Sequence, residues 1–201
     1  MSLHAFVDES KQRGLLLVAV VLSSTNVTAT RAAVEDLHLK GQRRIHFKKE
    51  SPGRRSTILS AITAMPVEAR LHECPSERHE LAAREACLSQ IVEDLAVQGG
   101  ERLVIELDDP TLVHDRRTLY KAVAKAGVDG QLQYHHHLRA KEETLLAVPD
   151  AIAWSWAEGG TWRQRVRAYN RREAPLTDRP DGCGAHFLGL LPLALSTVTN
   201  A

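Results

Sequence analysis

The sequence predicts a single α/β domain: a mixed sheet that opens with an antiparallel hairpin and carries helices on both faces. Three observations lead there. Two apolar runs, Leu3 to Val7 and GLLLVAVVLS from Gly14, are separated by a short polar turn, the pattern of a hairpin. Segments of helical periodicity then alternate with short strand-like segments, which calls for a sheet covered by helices. A chain of 201 residues is long enough for one such domain with a complete core.

The elements follow in order. After the hairpin, NVTATRAAVEDLHLKG carries Val27, Ala32, Val34, Leu37 and Leu39 among polar residues, with Asn or Thr as cap and Gly41 as stop, and predicts a short helix. RRIHFKKE (43–50) is a brief strand or extended piece. SPGRRSTILSAITAMP offers a Ser-Pro start, Ile58, Leu59 and Ile62 at helical spacing, and Pro66 as terminator. VEARLHEC alternates Val67, Ala69 and Leu71 with polar residues, a half-buried strand. SERHELAAREACLSQIVEDLAVQGG is the clearest helix, capped near Ser76, striped by Leu81, Leu88, Ile91 and Leu95, and ended by Gly99. ERLVIELDD (101–109) is another strand closed by acid. A helix from about His114 to Ala126, a short strand QLQYHHH and a helix beginning near Pro149 complete a domain over residues 1–172. Residues 173–201 form a Pro- and Gly-punctuated extension ending in the apolar run Phe187 to Leu195, expected to pack onto the domain or to mediate self-association.

Composition narrows the setting. With 26 Lys and Arg against 25 Asp and Glu, only local charge segregation can mark a polyanionic partner. Cys74, Cys87 and Cys183 have no paired spacing and read as buried reduced thiols. The chain has neither a secretory h-region nor a run of about 18 apolar residues, so a soluble cytoplasmic protein is expected.

Carboxylates recur at the ends of apolar segments: Asp8 and Glu9 after the first strand, Glu106 with Asp108 and Asp109 after a later one, and Asp150 in VPDAIAWSWA. Ligands of open α/β sheets bind beyond the carboxyl ends of strands, which would join Asp8 to Glu106 if their strands are parallel neighbours. Successive strand residues face opposite ways, so only one of Asp8 and Glu9 can look at a common site. Asp8 shares its face with His4 and Phe6, and Glu106 with Val104 and Asp108. Asp150 beside Pro149 suits a first helical turn and its dipole; equally, Ala153, Trp154 and Ala157 on the same face would let that helix lie close to the sheet and aim the aspartate inward. Clustered carboxylates require cations, and Mg2+ or Mn2+ held by oxygen meets that need.

An aspartate after strand one, a glutamate after a later strand and an aspartate on a late helix, in that order, resemble the ribonuclease-H-like nucleases. FVDES (6–10), RIHFKKES (44–51), LVIELDD (103–109) with HDRR (114–117), and VPDAIAWSW (148–156) more narrowly resemble a bacterial family of that superfamily, domain of unknown function 3800 (DUF3800). The resemblance implies hydrolysis of nucleic-acid phosphodiesters with two metal ions. It implies Asp8, Glu106 and Asp150 as ligands, with Asp8 shared, and Glu9, Asp109 and Asp115 as candidate helpers.

Two basic stretches fit a phosphate backbone. KGQRRIHFKKESPGRR holds Arg43, Arg44, Lys48 and Lys49 with His46 among them, and WRQRVRAYNRR adds Arg163 and its neighbours; a solvated or partner-docking surface is the other reading of both. In YHHH, strand alternation sets His135 and His137 on one face and His136 on the other, with His135 or His136 expected nearer the site. No GxSxG or phosphate-binding GK[ST] loop is present. Beside the nuclease stands the alternative of a catalytically inactive nucleic-acid-binding or protein-interaction module of the same fold.

Overall fold

In the computed structural model, residues 2–74, 79–169 and 184–186 are described. Strands β1 (Leu3–Ser10) and β2 (Leu15–Ser23) form the antiparallel hairpin. Then come α1 (Val27–Glu35), α2 (Pro52–Thr63), β3 (Glu68–Cys74), α3 (Glu80–Gln98), β4 (Gly100–Glu106), α4 (Leu112–Ala126), β5 (Gln133–Leu138), α5 (Ala147–Glu158), α6 (Gly160–Val166) and the short β6 (Gly184–His186). The sheet order is β5-β4-β1-β2-β3-β6. β4 lies parallel to β1 and to β5, while β2, β3 and β6 continue antiparallel.

Both faces of the sheet are covered, which is why β2 reads as an unbroken apolar run instead of alternating. Phe6, Val18, Val20, Ala69, Leu71 and Val104 pack beneath α1, α2, α5 and α6. Ala5, Val7, Leu17, Ala19, Leu103 and Ile105 pack beneath α3 and α4. The helix α5 is buried nearly all round, from Ala147 to Ala157, with Asp150 as its partly exposed exception.

The expected elements are present, with instructive differences. The 43–50 segment is an extended strap that ends in a 3-10 turn, Phe47–Lys49, and joins no strand. Its apolar residues Ile45 and Phe47 sink into the core, and Phe47 stacks at 5.4 Å on Trp154. β3 is buried on both faces: Arg70 and His72 lie under α3, so its polar alternation marks internal bonding, as between Arg70 and Gln98, and not solvent. Leu81 falls off the α3 stripe and is exposed, because the buried face runs through Ala83, Arg84, Cys87, Leu88, Ile91 and Leu95. Glu158-Gly159-Gly160 does stop α5, yet α6 starts at once, since Gly159 at φ 84° and ψ −160° adopts a turn essentially closed to other residues. Two glycines also join α3 to β4 without a loop. Gly99 caps the helix at φ 73°, and a Cβ on Gly100 would stand 2.8 Å from Leu95 Cβ. Of the 173–201 extension only β6 is described, added to the β3 edge; Phe187 to Leu195, Cys183 and Ser76 lie outside the described residues. Cys87 is fully buried under the sheet face that α3 covers, with its Sγ 3.7 Å from His72 O. Among the described residues no helix is long and apolar enough to cross a membrane.

Candidate active site

Parallel pairing of β1 with β4 matches Phe6 to Val104 and Val7 to Ile105. Continued by one residue, that register sets Asp8 level with Glu106 at the carboxyl ends of neighbouring strands, both on the α5 face. α5 crosses this face and contributes Asp150 from its first turn. The three carboxylates line one open pocket of about 250 Å³, together with Glu9, His46, Arg84, Asp108 and short stretches of β1 and β4.

Electrostatic crowding is the chief property of the site. Burial, then the charges of Glu106 and Asp150 and the contact with the Glu106 side chain, hold the Asp8 carboxyl well above the usual carboxylate range. Burial also raises Glu106, against the opposing pull of the Asp8 hydrogen bond, Arg44 and His46. Asp8 Oδ1 accepts from the Glu9 backbone N–H at 2.7 Å, and Asp150 Oδ2 accepts from the Phe47 N–H at 2.9 Å. The strap supplies nitrogen-bearing side chains at alternate positions: Arg44 Nη1 lies 3.4 Å from Glu106 Oε1, and His46 Nδ1 3.6 Å from Asp150 Oδ2. The donors around the pocket are carboxylate oxygens without thiolate, which fits Mg2+ or Mn2+, and a dication would relieve the crowding of negative charge among Asp8, Glu106 and Asp150. Among the described residues no three His, Cys, Asp or Glu side chains already stand at the spacing of a formed metal cage.

Glu9 turns the other way, as alternation requires, and meets Arg84 on α3. Arg84 also makes a two-pronged pair with Asp115 on α4, Nε to Oδ1 at 2.6 Å and Nη2 to Oδ2 at 2.8 Å. Thr111 Oγ1 donates to Asp115 at 3.3 Å, and His137 Nε2 lies 3.7 Å from it. Burial alone would raise the Asp115 carboxyl; the contacts from His137 and Arg84 outweigh it and hold Asp115 below its usual range. At the rim, Lys11 Nζ meets Glu80 at 2.8 Å, Glu9 at 3.0 Å and Asp108 at 3.3 Å.

Other candidates lie elsewhere. Asp109 pairs with Arg139 at 3.0 Å on the surface and does not line the pocket. Arg163 is committed inward: its Nε donates to Trp156 O at 2.7 Å and its guanidinium covers the Trp156 ring. Arg43, Lys48 and Lys49 are exposed along the strap, while Arg54 and Arg55 bond backbone carbonyls. His136 pairs with Val104, two residues short of Glu106, and His135 is exposed; neither lines the pocket. His46 does. Arg84 was not anticipated from sequence, although a charged residue four before Leu88 on the stripe Leu88, Ile91, Leu95 is the signal that finds it.

No family model matches the chain, and no curated protein matches its sequence. Among solved structures it is similar to a chain from the complex of PCNA with RNase HII of Archaeoglobus fulgidus. The identity is 14% and the TM-score 0.51, over 90% of this chain and 84% of that one. Together with the strand order and the N-terminal hairpin, that likeness identifies the fold: a ribonuclease-H-like α/β domain.

Proposed function

We propose that this chain is a divalent-metal-dependent nuclease of the DUF3800 kind, hydrolysing phosphodiester bonds of a nucleic acid. The observation that carries the reading is the meeting of Asp8, Glu106 and Asp150 in one pocket, from two adjacent strand ends and a buried helix, with one carboxyl too crowded to ionise freely. Held by these three, with Asp8 shared, Mg2+ or Mn2+ would activate a water and neutralise charge on the leaving oxygen.

The chain's own residues account for the rest. Asp150 is oriented by the Phe47 N–H, so ligand and strap are fixed to one another. Glu9 takes no part at the pocket's acidic face; through Arg84 it ties the end of β1 to α3 and α4. Arg43, Lys48 and Lys49, exposed on the strap beside the pocket, offer charge to a phosphate backbone, and His46 stands between them and Asp150. Arg163 and Asp109 have no role in this scheme.

The test is cleavage of labelled single- and double-stranded DNA, RNA and hybrid substrates with Mg2+, Mn2+ or chelator. Cleavage by the wild type that disappears in Asp8→Asn and Asp150→Asn, both still folded, is the expected result. Wild-type protein that binds these substrates with a salt-dependent affinity but never cuts them refutes the nuclease and leaves the binding module.

A further inference from the structure

Arg44 differs from the other arginines of its neighbourhood in what holds it. Arg54 Nη2 donates to Leu37 O at 2.6 Å, Arg55 to Phe47 O and Lys48 O, and Arg165 to Ser56 and Ser60; each is locked to fixed atoms of the fold. The described contact of Arg44 is with Glu106 Oε1 at 3.4 Å, a single prong from a side chain 43% exposed. The backbone beneath it is not loose. Ile45 and Phe47 on either side of His46 are buried to 2% and 0% exposure, and the Phe47 N–H is bonded to Asp150. A rigid strap therefore presents a weakly held guanidinium at the lip of the pocket, paired to a carboxylate that would also serve to hold a divalent ion.

We propose that Arg44 is an exchangeable counter-ion. In the metal-free protein it pairs with Glu106; when a divalent cation takes Glu106, Arg44 is released and contacts a phosphate of the bound nucleic acid. This rests on the metal-site reading above. A dication held by Glu106 would weaken the long 3.4 Å hold of the guanidinium on that carboxylate, because like charges repel and the pocket is partly desolvated. Once displaced, it remains tethered to the anchored strap, and its planar fork suits a phosphate. Arg44 thereby makes the two ligands interdependent: the metal frees a phosphate contact, and by linkage the nucleic acid favours the metal-loaded state.

The experiment measures Mn2+ binding by calorimetry in wild type, Arg44→Gln and Arg43→Gln. It also measures binding of a fluorescein-labelled oligonucleotide with Mn2+ and with chelator. Exposed ion pairs contribute little, so Arg44→Gln is expected to bind Mn2+ about two- to fivefold more tightly than wild type. It should also bind the oligonucleotide more weakly in Mn2+ and lose most of the Mn2+ enhancement seen in wild type. Arg43→Gln, whose side chain does not touch Glu106, should weaken oligonucleotide binding while retaining both the wild-type Mn2+ affinity and the enhancement. Equal tightening of Mn2+ by both variants shows general charge and overturns the exchange, as does an Arg44→Gln affinity no tighter than wild type. Wild type that binds no Mn2+ overturns both the exchange and the metal-site reading, whereas normal Mn2+ binding unaffected by Arg44→Gln overturns the exchange alone.

Discussion

Replacing Arg84 by Met removes one charge from a buried network and keeps most of the volume. Asp115 has no solvent exposure and would lose both prongs of its pair, at 2.6 and 2.8 Å, retaining Thr111 at 3.3 Å and His137 at 3.7 Å. Glu9 is better placed, since Lys11 lies 3.0 Å away and its side chain reaches water. Removing one partner of a buried pair costs about 3–5 kcal/mol, and because only one of the two stranded carboxylates is fully enclosed, the lower end applies, about 3 kcal/mol. For a chain of this size that corresponds to roughly 6–12 °C in Tm. Urea unfolding followed by tryptophan fluorescence measures it, using three tryptophans. The double variant Arg84→Met with Asp115→Leu should recover a large part of the loss, because an apolar pair replaces the stranded charge. A single-variant loss below about 1 kcal/mol, or a double variant as unstable as the sum of its parts, would refute the assignment of Arg84 as the charge that makes this burial tolerable. A pH arm adds a sign. The folded Asp115 pKa is lowered, so its contribution is present above the unfolded carboxylate value and is lost as pH falls through the folded one; Arg84→Met should flatten that acid-side loss.

The acidic pocket predicts the opposite sign. Asp8 and Glu106 have folded pKa values above their unfolded ones, so their contribution is present below the unfolded value and lost as pH rises through the folded one. Asp8→Asn should therefore raise the Tm of metal-free protein at pH 7 and change it little near pH 4, as thermal melts in chelator will measure. Millimolar Mn2+ should raise the wild-type Tm at pH 7 and leave that of Asp8→Asn nearly unchanged; equal stabilisation of both would count against Asp8 as a ligand. Gly100→Ala would press a methyl group onto Leu95 Cβ at 2.8 Å and Leu95 O at 3.1 Å, and should cost about 1–3 kcal/mol by denaturant unfolding.

Much of the fold was legible because its signals are local. The apolar hairpin, the Ser51-Pro52 helix start, the Gly99 stop and the acid-terminated strand at 101–109 each carry their own chemistry. Alternation alone assigned Asp8 and Glu9 to opposite faces. Adjacency was not legible: that β4 lies beside β1 and runs parallel to it depends on the whole chain, and it is this pairing that sets Glu106 level with Asp8. The buried polar groups were also obscured, because Arg70, His72 and Arg84 read as solvent-facing until their partners are seen. The basic segments divided for a similar reason. Arg43 and Arg163 look alike in sequence, but a neighbouring Trp156 carbonyl and ring draw Arg163 inward.

The glycine pair between α3 and β4 leaves that junction without slack. Helix and strand are joined like two gears on one shaft: adding a residue there would either slide β4 by one position, carrying Glu106 to the Arg84 face and Ile105 toward the pocket, or unwind the last turn of α3. Length variation in chains of this design should therefore accumulate elsewhere, such as between α4 and β5, where added residues leave the level of Glu106 untouched. The chemistry of the pocket is in that sense encoded partly as a count of residues, independent of which residues they are.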